Sequence, residues 1–314
     1  MTLVHVVVVK NINTVVGWIA NRSEILIYKN PLALIGDTPI IEHEGIFIKL
    51  EQFNLAGSIK DRVALKMIEE LESQNKLNEN STVIEVTSGN TGIAIAMICA
   101  IKRYKCLIIM TDDTSINKID LIKALGANVM LTPSNKGIKH AIEVAKKLSK
   151  EFGYFYLNQF ENINNPLAHS TTSEEIIQDF PHLDYLVCGI GTGGTICGIS
   201  ENLKRVYPKL KVIGVLPKEL LENSSKTHGI CGIGANVKSS FLNHKLIDEI
   251  EYVETKDVYK EFRSLSRQGL LLGLSSIANY IVSKRIKEEN PQKIILIISP
   301  DSGNKYLNSL DTCV

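Results

Sequence analysis

Short apolar runs alternate along the chain with helical stripes. Thr82–Val86, Cys106–Met110, Asn128–Leu131, Tyr185–Cys188, Val212–Leu216 and Ile294–Ile298 are β-branched and mostly apolar throughout rather than every second residue. That pattern predicts parallel strands covered on both faces. Between them, Ala64, Met67, Ile68 and Leu71 fall at i, i+3, i+4 and i+7, as do Ile138, Ala141, Ile142 and Ala145, the spacing of one helical face. Strand–helix alternation of this kind predicts an α/β fold with parallel sheets and right-handed crossovers. The pattern breaks around Asn158–Pro166, where an Asn-rich stretch favours irregular backbone and marks the expected domain boundary.

A length of 314 residues is a prior for two domains and supports an ordinary core without staples. Thirty-five Lys and Arg stand against 34 Asp and Glu, so nothing in the charge balance favours a nucleic-acid backbone or an anionic membrane. The six cysteines form no C-x-x-C pair and the seven histidines no metal spacing, which predicts no metal and no disulfide framework. Cys99 and Cys106 lie in apolar runs and read as core residues. The run Leu3–Val9 is too short to span a bilayer and lacks a basic lead, so the expected compartment is cytoplasmic.

Two polar loops follow strands directly, the position where ligands bind in open α/β sheets. Thr87-Ser88-Gly89-Asn90-Thr91-Gly92 opens a helix, where free amides and the positive dipole end favour an anion. A plain N-cap needs one such residue, and this loop has four. Gly189-Ile190-Gly191-Thr192-Gly193-Gly194-Thr195 brings closely spaced glycines and two hydroxyls to the start of the next helix, as a phosphate cradle requires. Gly189, Gly191 and Gly194 also satisfy the dinucleotide fingerprint, but Leu216-Pro217-Lys218 stands where its acidic partner belongs. A single phosphate therefore ranks above a nicotinamide cofactor. Lys60, in Ser58-Ile59-Lys60-Asp61-Arg62, sits at a helix start that disfavours an ammonium, as an imine-forming lysine needs; a solvated surface lysine is the alternative.

Together these segments supply an imine partner, a ring-oxygen partner and a phosphate site, the requirements of pyridoxal 5′-phosphate. The chain resembles the cysteine synthase (O-acetylserine sulfhydrylase) and cystathionine β-synthase family of fold-type II pyridoxal-phosphate enzymes. The resemblance spans roughly residues 30–310, with motifs in family order. They are Pro31–Ile40, Ser58–Arg62, Thr87–Gly92, Asn158–Asn162 with Asn165-Pro166, Gly191–Thr195, Gly232–Ala235, Gly273–Ser276 and Pro300–Leu307.

The resemblance implies a tryptophan synthase β-like fold with the active site in the cleft between two doubly wound parallel-sheet domains. Residues 53–160 would form the smaller domain, and 161–314 with about 30–52 the larger. Lys60 would hold the cofactor as an imine and shuttle the substrate α-proton. Asn90 would bond the ring hydroxyl, Gly191, Thr192, Gly193, Gly194 and Thr195 the phosphate, and Ser275 would face the pyridine nitrogen. Thr87, Ser88, Thr91 and Gln159 would clamp the amino-acid carboxylate, with Gly234 at the substrate edge. A hydroxyl opposite the ring nitrogen favours β-elimination to an α-aminoacrylate, followed by addition of a nucleophile. The implied reaction is O-acetyl-L-serine plus sulfide giving L-cysteine and acetate.

The implied partners are a second copy of the chain and the C-terminal peptide of serine acetyltransferase. A non-catalytic regulator on the same fold is a lower reading. Departures at Asn54–Ser58, Leu216, Ile277, Asn279 and Asn236 spare the cofactor positions and cluster where the second substrate enters. They leave open diaminopropionate-type, cystathionine or lanthionine synthesis, or sulfide release from cysteine. His169 is expected to be structural. Residues 1–29 match no family segment, and Val4–Val9 and Ile25–Tyr28 are candidate strands.

Overall fold

The computed structural model describes residues 27–87, 89–222, 228–234, 237 and 239–307. Val4–Val9, Ile25 and Leu26, Ser88 and Asn236 lie outside them; Ile27 and Tyr28 are in neither helix nor strand. The described residues from Pro31 onward cluster as one compact unit.

In chain order the strands are β1 (Ile40–His43), β2 (Ile46–Leu50), β3 (Thr82–Val86), β4 (Lys105–Thr111), β5 (Asn128–Thr132), β6 (Phe155–Tyr156), β7 (Tyr185–Gly189), β8 (Lys211–Pro217), β9 (Glu249–Val253) and β10 (Ile295–Ser299). The helices are α1 (Lys60–Ser73), α2 (Asn90–Lys102), α3 (Ile116–Ala124), α4 (Gly137–Phe152), α5 (Asn164–Leu167), α6 (Ser170–Asp179), α7 (Gly194–Val206), α8 (Glu219–Glu222), α9 (Thr255–Arg267) and α10 (Leu274–Glu289). Each of the six apolar runs from Thr82 to Ile298 is a strand, within a residue or two at its ends.

Two sheets result. One has the order β1-β2-β10-β7-β8-β9 and the other β5-β4-β3-β6. Every pairing is parallel except β1 with β2, a hairpin closed by Glu44 and Gly45, both at positive φ as a two-residue turn of this hand demands. The six-stranded sheet is covered by α9 and α10 on one face and by α6 and α7 on the other. The four-stranded sheet is covered by α1, α2 and α3 on one face and by α4 on the other. This is why β10 reads as a nearly continuous apolar run: all five of its residues are buried. α2 is buried from Thr91 to Cys99, and so lacks the polar face that betrays an amphipathic helix.

Cys99, Cys106, Cys188 and Cys197 are buried and unpaired, and Cys231 is exposed and unpaired. Among the described residues no helix is long and apolar enough to cross a membrane, and no cluster of His, Cys, Asp and Glu is arranged to hold a metal.

Candidate active site

The carboxyl ends of β3, β7 and β10 lead into the loops that border one cavity of about 340 Å³. Its wall includes Lys60, Thr87, Asn90, Thr91, Gln159, Gly191, Thr192, Gly193, Thr195 and Ser275, so most of the residues singled out in the sequence meet there. Gly194 lies behind the wall, and Gly234 follows the lining residue Ile233 with its own amide bonded to Ile190 O at 2.8 Å.

Lys60 is the first residue of α1, and its backbone N–H is capped by Ser58 Oγ at 3.3 Å. Burial lowers its ammonium pKa to about 8, against a small opposing effect of Cys188. No side-chain hydrogen bond or ion pair holds Nζ among the described residues. The first turn of α1 is fixed from behind by a buried cluster. Arg62 donates through Nε and Nη2 to Glu51 (2.8 and 2.9 Å) and through Nη1 and Nη2 to Glu175 (2.6 and 2.8 Å). Lys49 reaches Glu175 at 2.8 Å, so two cations face two carboxylates. Glu51 belongs to the turn after β2 and Glu175 to α6, so the cluster ties the lysine-bearing helix to the six-stranded sheet.

The loop after β3 is organised through Gln159. Thr91 Oγ1 donates to Gln159 Oε1 at 2.8 Å, while Gln159 Nε2 donates to Val86 O at 3.1 Å. The buried Glu85 accepts from the Gln159 amide at 3.2 Å and from Val86 N at 2.8 Å, and burial raises its carboxyl pKa to about 8. Asn90 opens α2 with its side chain held on both sides: Nδ2 donates to Asp301 at 2.7 Å and Oδ1 accepts from Lys305 Nζ at 2.8 Å.

The loop after β7 leaves no room for side chains. A Cβ on Gly191 would stand 2.4 Å from Gly232 O, and one on Gly194 would stand 2.0 Å from Asn165 Oδ1. Gly193 takes φ +84°, a conformation glycine adopts without strain. Asn165 Nδ2 braces the loop at Thr192 Oγ1 (3.1 Å), and its own buried Oδ1 has no hydrogen-bond partner among the described residues. Thr195 Oγ1 lies 3.2 Å from His169 Nε2. His169 is fully buried, and burial drives its pKa well below the ordinary range, so its ring is neutral and structural.

Ser275 lies in the first turn of α10, is 3% exposed, and makes no hydrogen bond among the described residues. Its hydroxyl borders the cavity beside the positive end of a 16-residue helix, an environment that disfavours a cation.

Several wall residues carried no assigned role in the sequence: Lys118, Cys188, Cys231, Asp301 and Tyr306. Asp301 and Tyr306 belong to the quoted Pro300–Leu307 motif, and Tyr306 OH donates to Asp301 Oδ2 at 2.6 Å. Burial raises the Cys188 thiol to about 12, which keeps it neutral beside Lys60.

These residues fit pyridoxal 5′-phosphate. The site combines an unpaired, partly neutral lysine, a glycine cradle at a helix N-terminus and a free hydroxyl opposite, all on one cavity wall.

Comparison with known proteins agrees. The profile of the pyridoxal-phosphate dependent enzyme family matches residues 32–301. A cysteine synthase B of Campylobacter jejuni is 39% identical over 286 residues, covering 88% of this chain and 96% of that protein. A cysteine synthase of a Flavobacterium species is 42% identical over 260 residues, covering 78% and 85%. The crystal structure of a hydrogen sulfide-producing enzyme from Fusobacterium nucleatum superposes with a TM-score of 0.84 at 39% identity, covering 90% of this chain and all of that one. The chain belongs to the pyridoxal-phosphate dependent enzyme family, and pyridoxal phosphate is its cofactor.

Proposed function

We propose that this member of the pyridoxal-phosphate dependent enzymes catalyses β-replacement on an O-activated serine, converting O-acetyl-L-serine and sulfide to L-cysteine and acetate. The carrying observation is that Lys60, the Thr87–Thr91 loop, the Gly191–Thr195 loop and Ser275 border a single cavity. The cysteine synthases among its relatives support the choice of substrates.

Bound pyridoxal phosphate supplies the electron sink that makes loss of a β-substituent feasible. Lys60 is the residue that holds it and then moves the substrate α-proton at Nζ. An amine with a pKa of about 8 is substantially neutral near physiological pH, as both roles require. The amides and hydroxyls of Gly191–Thr195, at the N-terminus of α7, receive the phosphate. Asn90 keeps one Nδ2 hydrogen for a ring oxygen while Asp301 takes the other. Ser275 meets the ring nitrogen with a hydroxyl at a helix N-terminus, so nothing there holds that nitrogen protonated. The sink is then tuned to elimination and replacement rather than to transamination.

Thr87, Ser88, Thr91 and Gln159 bind the substrate carboxylate, and Gly234 shapes the edge of the substrate region. The two sheets correspond to two lobes, residues 53–160 and 161–314 with 30–52, and the cavity is the cleft between them. The working assembly is a homodimer in the cytoplasm, and the cleft accepts the C-terminal peptide of serine acetyltransferase.

Sulfide release from cysteine is a second reading on the same machinery, favoured by the likeness to the Fusobacterium enzyme. Incubating the loaded enzyme with O-acetyl-L-serine and sulfide tests the first. Equal amounts of cysteine and acetate are expected, with none from Lys60→Ala. Absence of cysteine, or turnover that survives Lys60→Ala, overturns it. Faster sulfide release from L-cysteine than cysteine formation moves the assignment to the second reading.

A further inference from the structure

The reading above binds the carboxylate of the amino-acid substrate with neutral groups only. Thr91 and Gln159 already spend much of their hydrogen-bonding capacity on each other and on Val86 O. A carboxylate brought into a partly enclosed cavity loses hydration that neutral donors replace only in part.

Among the described residues, the wall of the same cavity carries one cation besides Lys60. Lys118 projects from α3, and its Nζ lies 3.9 Å from the point where a Cβ on Gly89 would stand, directly against the carboxylate-binding loop. Its ammonium is 5.9 Å from the centroid of the Tyr306 ring, a cation–π distance that holds it toward the cavity. Among the described residues it has no hydrogen bond and no carboxylate within ion-pair distance. Of the neighbouring charges, Asp301 acts on Lys118 through space, and its Oδ1 has no hydrogen-bond partner among the described residues. Lys305 donates to Gly57 O and Asn90 Oδ1, and Asp301 Oδ2 accepts from Asn90 and Tyr306. Among the described residues, Lys118 is thus the one cation of the wall besides Lys60, and no hydrogen bond or ion pair holds its ammonium.

We propose that Lys118 is a substrate-binding residue whose ammonium supplies the counter-charge for the α-carboxylate held by the Thr87–Gly92 loop. The assignment rests on the reading that this loop receives an α-amino acid. It makes recognition partly electrostatic: the free carboxylate is selected over the same molecule carrying an uncharged amide in its place.

The test compares L-serine with L-serinamide, and L-cysteine with L-cysteinamide, by calorimetric titration of the pyridoxal-phosphate-loaded wild type, Lys118→Met and Lys118→Arg. Matched circular dichroism and cofactor content establish that the variants are intact. Lys118→Met should weaken binding of the acids about tenfold, the scale of one charge-assisted contact, and leave the amides within about twofold. Lys118→Arg should retain most of the acid affinity.

Acid affinities unchanged in Lys118→Met overturn the proposal. So does equal weakening of acid and amide, which marks a structural role, and so does a rise in the KM for sulfide alone, which places Lys118 on the second substrate. If the wild type binds the acids in a Lys118-dependent way but makes no cysteine from O-acetyl-L-serine, the proposal stands and the reaction assignment falls.

Discussion

Replacing Arg62 with Met isolates what the buried ion cluster contributes. The guanidinium is 3% exposed and Glu51 is fully buried. Besides Arg62, Glu51 has, among the described residues, only Thr38 Oγ1 (2.7 Å) and Asn54 Nδ2 (2.7 Å) as side-chain donors, so the substitution leaves a buried carboxylate without a cation. Glu175 keeps Lys49 at 2.8 Å. The loss is therefore close to one broken buried pair, about 3–5 kcal/mol, rather than two. With a urea m value of about 3 kcal/mol/M, the unfolding midpoint should fall by about 1–1.7 M, read by far-ultraviolet circular dichroism. The double variant Arg62→Met/Glu51→Gln should recover part of that loss, because no uncompensated charge remains. A single-variant loss below about 1 kcal/mol, the range of solvent-exposed pairs, would show that water reaches the cluster and would refute the reasoning. So would a double variant as unstable as the sum of its singles.

Three further outcomes follow from the same geometry. Gly194→Ala should lower pyridoxal-phosphate affinity at least tenfold, because its methyl meets Asn165 Oδ1 at 2.0 Å; equilibrium dialysis with the cofactor checks this. The Glu175 carboxyl, despite burial, is held down to about 2 by Arg62 and Lys49. Its contribution is present above the ordinary value of 4.5 and lost as pH falls through about 2, so Glu175→Gln should flatten the acid limb of a stability–pH curve. Glu85 behaves oppositely. Burial raises it to about 8, so its contribution is complete below pH 4.5 and lost as pH rises through 8, and Glu85→Gln should flatten that alkaline decline whatever its effect on absolute stability.

The parallel strands were legible because both faces are covered, which leaves β7 and β10 almost without polar positions and admits into β3 only Thr82 and the buried Glu85. The two polar loops were legible because each stands between a strand and a helix. Lys60 was legible from its place at a helix start and the company of those loops. What could not be read was three-dimensional company. Lys118 sits in an ordinary amphipathic stretch, 27 residues after the Gly92 that ends the first loop if counted inclusively, and only the packing of α3 on α2 brings it to the cavity. Cys188 reads as one more apolar strand residue until its neighbour across the cavity proves to be Lys60. Ile138 packs with Ala141 and Ala145 on the helical face its spacing indicates, and only the fold shows that it also lines the cavity. Arg62, Glu51, Glu175 and Lys49 look like solvated charges one by one; their burial follows from β2, α1 and α6 converging.

The central claim is that Lys60 and its bound cofactor act on an O-activated serine, and an absorption spectrum tests it most directly. The purified, cofactor-loaded protein should show the band of a lysine-bound pyridoxal phosphate, absent from Lys60→Ala. Addition of O-acetyl-L-serine alone should replace it with a longer-wavelength band, and sulfide should restore the original. A spectrum indifferent to O-acetyl-L-serine, or a band that persists in Lys60→Ala, would contradict the account.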